Sequence, residues 1–282
     1  MDDLIDTKLR QIEGCTSLLV SVDMGVGASS RVKYAASLAA QCDARLIGIA
    51  AESPATPVYG EGDGMAVAAF MEMEDARLSE DLADAEQLFR RAVGPYKNIE
   101  WRSKMAPAVD FVAEMACLAD VLIVSGLEDT PSPMAADARD LVMQVGRPIL
   151  LVPIAGPDIF RLNHILIAWK NTREARRAVA DALPFIKAAN KVRVASFGED
   201  DRDSNVEDVA TFLERHGVQA QLYTSVTSGS DVAKQISDLA VEEAADLIVC
   251  GAYGHSRTKE WIFGGVTKEL MRSCPVPWFM SH

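Results

Sequence analysis

The sequence predicts an α/β protein of two tandem domains, each a five-stranded, mostly parallel sheet with helices on both faces. Three observations lead there. The chain has 282 residues, too many for one average domain and suited to two of roughly 100 to 200 residues each. Its second half repeats the landmarks of the first in the same order and spacing. Short apolar runs alternate with longer helical stretches, as in successive βαβ units. Because those runs are continuous rather than alternating, the strands should be covered by helices on both sides.

In the first half, strands are expected near Leu18 to Asp23, Arg45 to Ala50, Ile99 to Lys104, Val121 to Gly126 and Ile149 to Val152. In the second they are expected near Ile165 to Trp169, Val192 to Phe197, Gln219 to Thr224, Leu247 to Gly251 and Val276 to Met280. Helices fill the gaps of the second half at Arg173 to Ala189, Val206 to Arg215, Asp231 to Glu243 and Val266 to Arg272. Ser17 to Asp23 reads like His164 to Lys170, Asp120 to Gly126 like Ala245 to Gly251, and Arg147 to Pro153 like Cys274 to Met280. One difference stands out. The connection between the second and third strands is longer in the first half by roughly twenty residues, beyond ordinary connection lengths. It holds a Pro/Gly-rich loop, Ser53 to Gly64, followed by a long helix. Gly156-Pro157 punctuates a short linker, Ala155 to Asn163.

A formal charge of −13 argues against nucleic acid as a partner, since affinity for phosphate backbones comes from clustered Lys and Arg. No stretch approaches the roughly 18 consecutive apolar residues of a membrane span, and Met1-Asp2-Asp3 is acidic where a signal peptide is basic. A cytoplasmic location is therefore expected. The five cysteines and four histidines are scattered, without the paired spacing of a metal site. The cysteines read as reduced, mostly buried thiols.

Ligands of open parallel sheets bind beyond the carboxyl ends of the strands, where the strand order reverses. In the second half that position carries Gly251-Ala252-Tyr253-Gly254, then nine residues from His255 to Phe263, then Gly264-Gly265-Val266-Thr267. Gly251 and Gly254 suit a loop with exposed N–H groups, while Gly264 and Gly265 stand just before a helix whose amino end carries partial positive charge. Such a loop can cradle phosphates, with Thr267 adding a hydroxyl. The string Gly, two residues, Gly, nine residues, Gly resembles the nucleotide loop of the universal stress protein family, and the resemblance extends over both repeats.

That resemblance implies two Rossmann-like domains, residues 1–155 and 162–282, whose fifth strands pair into an intramolecular pseudo-dimer, with a homodimer also open. It implies binding of ATP, or of AMP or ADP, in the second domain, with magnesium as a companion of the phosphates. Phosphate contacts would fall on Gly254, Gly264, Gly265, Val266 and Thr267, and Gly251 would lie on the adenosine side. Ala168, Trp169 and Lys170 would flank base and ribose, and Phe197 would cover the base. Two residues depart from the family pattern: Gly265 stands for the usual Ser or Thr, and Lys170 for the usual Asp. The first domain keeps Asp23 but lacks the second glycine, and Glu128 and Asp129 place carboxylates where phosphates would lie.

No nucleophile, base and orienter occur at a spacing that nominates an enzyme, and no P-loop or Gly-x-Ser-x-Gly signature is present. Slow ATP hydrolysis would need only bound nucleotide, magnesium and a positioned water. Three functional readings stand: a stress-response regulator that binds an adenine nucleotide in its second domain, a nucleotide-independent interaction module that presents its surface to a protein partner, and an adenylating or ATP-splitting enzyme.

Overall fold

A computed structural model describes residues 12–55, 64–198, 205–226, 232–253 and 265–282. Gly254, Gly264 and most of the Ser53 to Gly64 loop lie outside the described residues, as do the side chains of Gly265 and Val266.

The first half runs β1 (Ser17–Ser21), α1 (Ala28–Cys42), β2 (Arg45–Glu52), α2 (Gly64–Val93), β3 (Ile99–Met105), α3 (Ala108–Met115), β4 (Val121–Ser125), α4 (Ala138–Gln144) and β5 (Ile149–Val152). The second runs β6 (His164–Trp169), α5 (Arg173–Asp181), α6 (Leu183–Ala188), β7 (Lys191–Gly198), α7 (Val206–Arg215), β8 (Ala220–Val226), α8 (Val232–Glu242), β9 (Leu247–Gly251), α9 (Gly265–Ser273) and β10 (Trp278–Ser281). The helix expected from Arg173 to Ala189 is two. Pro184 lies in the first turn of α6, where a missing N–H costs nothing, whereas inside a continuous helix it would remove a bond and clash with the preceding turn.

All ten strands form one sheet in the order β3-β2-β1-β4-β5-β10-β9-β6-β7-β8. Within each half every pairing is parallel, and the order reverses between β1 and β4 and again between β6 and β9. The halves meet where β5 and β10 pair antiparallel, Leu151 opposite Trp278 and Ile149 opposite Met280. All six side chains of that seam are at most 1% exposed. The fifth strands thus join the halves as a pseudo-dimer within one chain.

The register corrects the sequence alignment by one residue. Asp120 Oδ2 accepts from the N–H groups of Thr16 (2.8 Å) and Ser17 (3.0 Å), and Asp246 Oδ2 accepts from those of Asn163 (2.7 Å) and His164 (3.0 Å). These matching clamps make Asp120 the counterpart of Asp246, so Ser125, not Gly126, stands where the second half has Gly251. Apolar runs of equal length conceal such a slip; a carboxylate clamp on the backbone does not.

Two apolar layers sandwich the sheet. One packs α1, α2, α5, α6 and α7 on one face, the other α3, α4, α8 and α9 on the opposite face, and both span the two halves. The linker is tied into the first layer by Phe160, which is 1% exposed and stacks edge-on with Tyr34 (5.5 Å) and Phe185 (6.3 Å). Gln41 donates to its carbonyl at 2.9 Å.

Candidate functional site

Each half has a crevice at the carboxyl ends of its central strands, because the connection from β1 or β6 leaves over one face of the sheet and that from β4 or β9 over the other. In the second half β6 and β9 are hydrogen-bonded neighbours, with Ala168 opposite Cys250. Alternation along β6 sends Trp169 into the α5 side of the core, 6% exposed, and leaves the half-buried Ala168 with the α9 side. Lys170 follows the strand and is exposed. Phe197, near the end of β7, is half-buried on the same side as Ala168, and its ring lies 6.0 Å from that of Tyr223. Ala168, Phe197, Tyr223 and Tyr253 therefore share one partly open apolar layer, while Trp169 belongs to the core behind it.

Gly251 has a structural duty. A Cβ there would lie 2.4 Å from the backbone N of Ala175 and 2.7 Å from the carbonyl carbon of Glu174, so the first turn of α5 sits directly on the end of β9. That turn is capped by Thr172, whose Oγ1 accepts from Ala175 N at 3.2 Å. Ala252 donates to the Ser281 carbonyl at 3.0 Å, and Tyr253 then takes a left-handed φ of 57°, which a non-glycine residue rarely adopts. Burial pushes the Tyr253 hydroxyl up to about 12, so it stays a neutral donor. Beyond the loop, α9 begins at Gly265, and Thr267 in its first turn is buried.

The first crevice is built differently. Asp23, counterpart of Lys170, is buried and paired with the buried Arg31 at 2.6 Å. Arg31 Nε also donates to the Ser21 carbonyl at 2.9 Å, and Asp23 Oδ1 accepts from Gly25 N at 2.8 Å. The carboxylate that the first domain keeps at this strand end is thus paired internally. Ala51 replaces Phe197, and Glu52 beside it is held by Arg77 at 2.9 Å. Arg77 also binds Glu74, whose carboxyl it holds down at about 2 with help from the Ala55 N–H. In front of β1 and β4 lies a cavity of about 280 Å³ lined by Ser125, Glu128, the N-terminal end of α4, and Lys268 and Arg272 of α9. Leu127 N donates to the Met271 carbonyl at 3.0 Å, so α9 of the second half walls the first half's crevice.

Sequence reasoning missed Arg31, Tyr223 and Tyr253. Arg31 carried no signal, because a charged residue on a helix is ordinarily solvated. Tyr253 lay inside the glycine-rich string itself.

Residues 162–282 match the model of the universal stress protein family. No curated protein matches the chain. Among solved structures, a universal stress protein from Archaeoglobus fulgidus DSM 4304 is similar with a TM-score of 0.69 and 14% identity, over 95% of this chain and 96% of that one. A functionally unknown protein from Pseudomonas aeruginosa PAO1 reaches a TM-score of 0.54 at 15% identity, over 95% of this chain and 92% of that one. The chain therefore has the universal stress protein fold, and its second half matches that family in sequence.

Proposed function

We propose that the second half binds an adenine nucleotide, ATP or its di- or monophosphate, at the carboxyl ends of β6 and β9, and that the protein acts as a nucleotide-responsive stress regulator. The observation that carries this reading is the family match over residues 162–282, a span containing both strands and the glycine-rich loop between β9 and α9. In this reading residues 1–155 and 162–282 are two domains, of which only the second takes nucleotide.

The apolar layer of Ala168 and Phe197, extended by Tyr223, offers a wall for the base. The amino end of α9, with Gly265, Val266 and Thr267, offers N–H groups and partial positive charge to phosphates, joined by Gly254 and Gly264 from the loop. Gly251 contributes by letting α5 close on the strand end. Trp169 fixes the backbone from inside the core, and Lys170 supplies a cation at the strand end. Among the described residues no group of three or more His, Cys, Asp or Glu side chains is placed to hold a metal ion. Magnesium would therefore arrive on the phosphates of the ligand.

Calorimetric titration of the full chain with ATP, ADP, AMP and adenosine tests the reading, with Gly254→Val as the loop variant. ATP is expected to bind the parent, and to bind the folded variant at least about tenfold more weakly, because a branched side chain narrows the loop's approach to phosphate. Absence of binding by all four ligands would leave the interaction module as the function. A steady-state phosphate-release assay detects hydrolysis.

A further inference from the structure

The crevice that the nucleotide reading leaves unused has a charge inventory of its own. Most of its ionic groups are already matched: Asp23 with Arg31, Asp129 with Arg272, and Asp137 with Arg139. Three polar groups lining the same cavity have no hydrogen-bond or ion-pair partner among the described residues. Ser125 Oγ is buried and unsatisfied. The half-buried Glu128 carboxylate makes no ion pair, and the exposed Lys268 ammonium makes none either.

The placement of Glu128 is unfavourable as it stands. A single point, the position of a Cβ on Gly25, lies 2.9 Å from Asp23 Oδ1 and 2.9 Å from Glu128 Oε1, so the two carboxylates border the same small space. Asp23 is paired with Arg31, whereas Glu128 makes no ion pair of its own and has the Asp23 carboxylate as a neighbour. Burial, and then Asp23, push the Glu128 carboxyl upward, against a partial offset from Arg31. Ser125 occupies the position at which the second half requires a glycine, so a hydroxyl stands here where the other crevice has helix backbone.

We propose that this cavity is a binding site for a small zwitterion, an amino-acid-like molecule whose ammonium is held by Glu128 and Ser125 and whose carboxylate is held by Lys268. One unpaired anion and one unpaired cation in a shared cavity call for a ligand carrying both charges. A nucleotide's phosphates bring only negative charge to a wall that already holds the unpaired Glu128. The volume of about 280 Å³ lies just below the range of drug-sized ligand pockets and suits a ligand of amino-acid size. Charge-assisted hydrogen bonds at both ends supply affinity and orientation.

The site is independent of the nucleotide proposal and is tested without nucleotide. The full chain is titrated calorimetrically with glycine, γ-aminobutyrate and ε-aminocaproate, with butylamine and butyrate as single-charge controls. One of the three zwitterions is expected to saturate a single site below about 10 mM, with either control at least about tenfold weaker. Glu128→Gln and Lys268→Met should each cost about tenfold, and Ser125→Ala a few-fold. Lys268 is exposed, so Lys268→Met and the reversal Lys268→Glu remain informative if Glu128→Gln fails to fold. Failure of all three zwitterions to saturate overturns the proposal. So does equal binding of the controls, or unchanged binding in folded Lys268→Met and Lys268→Glu.

Discussion

The two crevices occupy equivalent places in one sheet and solve the same problem in opposite ways. In the first, the strand-end Asp23 is buried and neutralised by Arg31, and the helix over the strand ends leaves a cavity beside Ser125. In the second, the strand end carries the exposed Lys170, and α5 closes on Gly251 so tightly that no side chain fits. A shared topology therefore fixes where a crevice lies but not how it is lined. One buried arginine and one glycine set the two linings apart.

The largest expected effect comes from breaking the internal pair of the first crevice. Arg31→Met should destabilise the protein by about 3 to 5 kcal/mol, because Asp23 is left buried without its counter-ion. Urea unfolding of this variant and of Asp23→Asn/Arg31→Met should show the double variant recovering part of the loss. In the second crevice Lys170→Met should stay within about 0.5 kcal/mol of the parent, as an exposed position does. Equal effects on the two sides would erase the contrast.

Gly251→Ala ranks next. Its Cβ must displace the backbone of Glu174 and Ala175, an overpacking expected to cost about 1 to 3 kcal/mol. Gly126→Ala should cost less, since its nearest neighbours stand at 3.1 and 3.7 Å. Thermal unfolding of the two variants side by side checks the order.

Lys170→Ala sharpens the comparison at the level of ligands. Loss of one exposed cation should weaken ATP by roughly fivefold, about 1 kcal/mol. Adenosine should be nearly unaffected, and the difference should shrink as salt screens the charge. Equal losses for both ligands would place Lys170 outside the site.

The smallest effect concerns Glu128. Its carboxyl is raised in the folded protein, so the native state holds the proton more tightly than the unfolded chain does. Stability is therefore greatest below the unfolded pKa and falls as pH rises through the folded one. Glu128→Gln should raise the melting temperature at pH 7, with the gain vanishing below about pH 4, where the unfolded chain is also protonated. A gain that persists in acid would point to packing rather than charge.

Strand existence and order were legible because buried parallel strands are runs of apolar residues, and β6 and β9 came out within a residue of expectation. The break at Pro184 was also written in the sequence, but the apolar period continues across it and hides the restart. Register was less accessible. Only the clamps of Asp120 and Asp246 on the backbone reveal that Ser125 and Gly251 are counterparts.

By itself, the sequence determined the repeat, the parallel order within each half and the place of the glycine-rich loop, because periodicity and glycine act locally along the chain. The tertiary structure alone decided that Arg31 turns inward to Asp23, that Trp169 packs in one core layer while Phe197 packs half-buried against the other, and that α9 of one half walls the cavity of the other. Those outcomes depend on which distant groups meet in a low-dielectric interior. There an unpaired charge is costly enough to select its partner, and no local pattern records that choice.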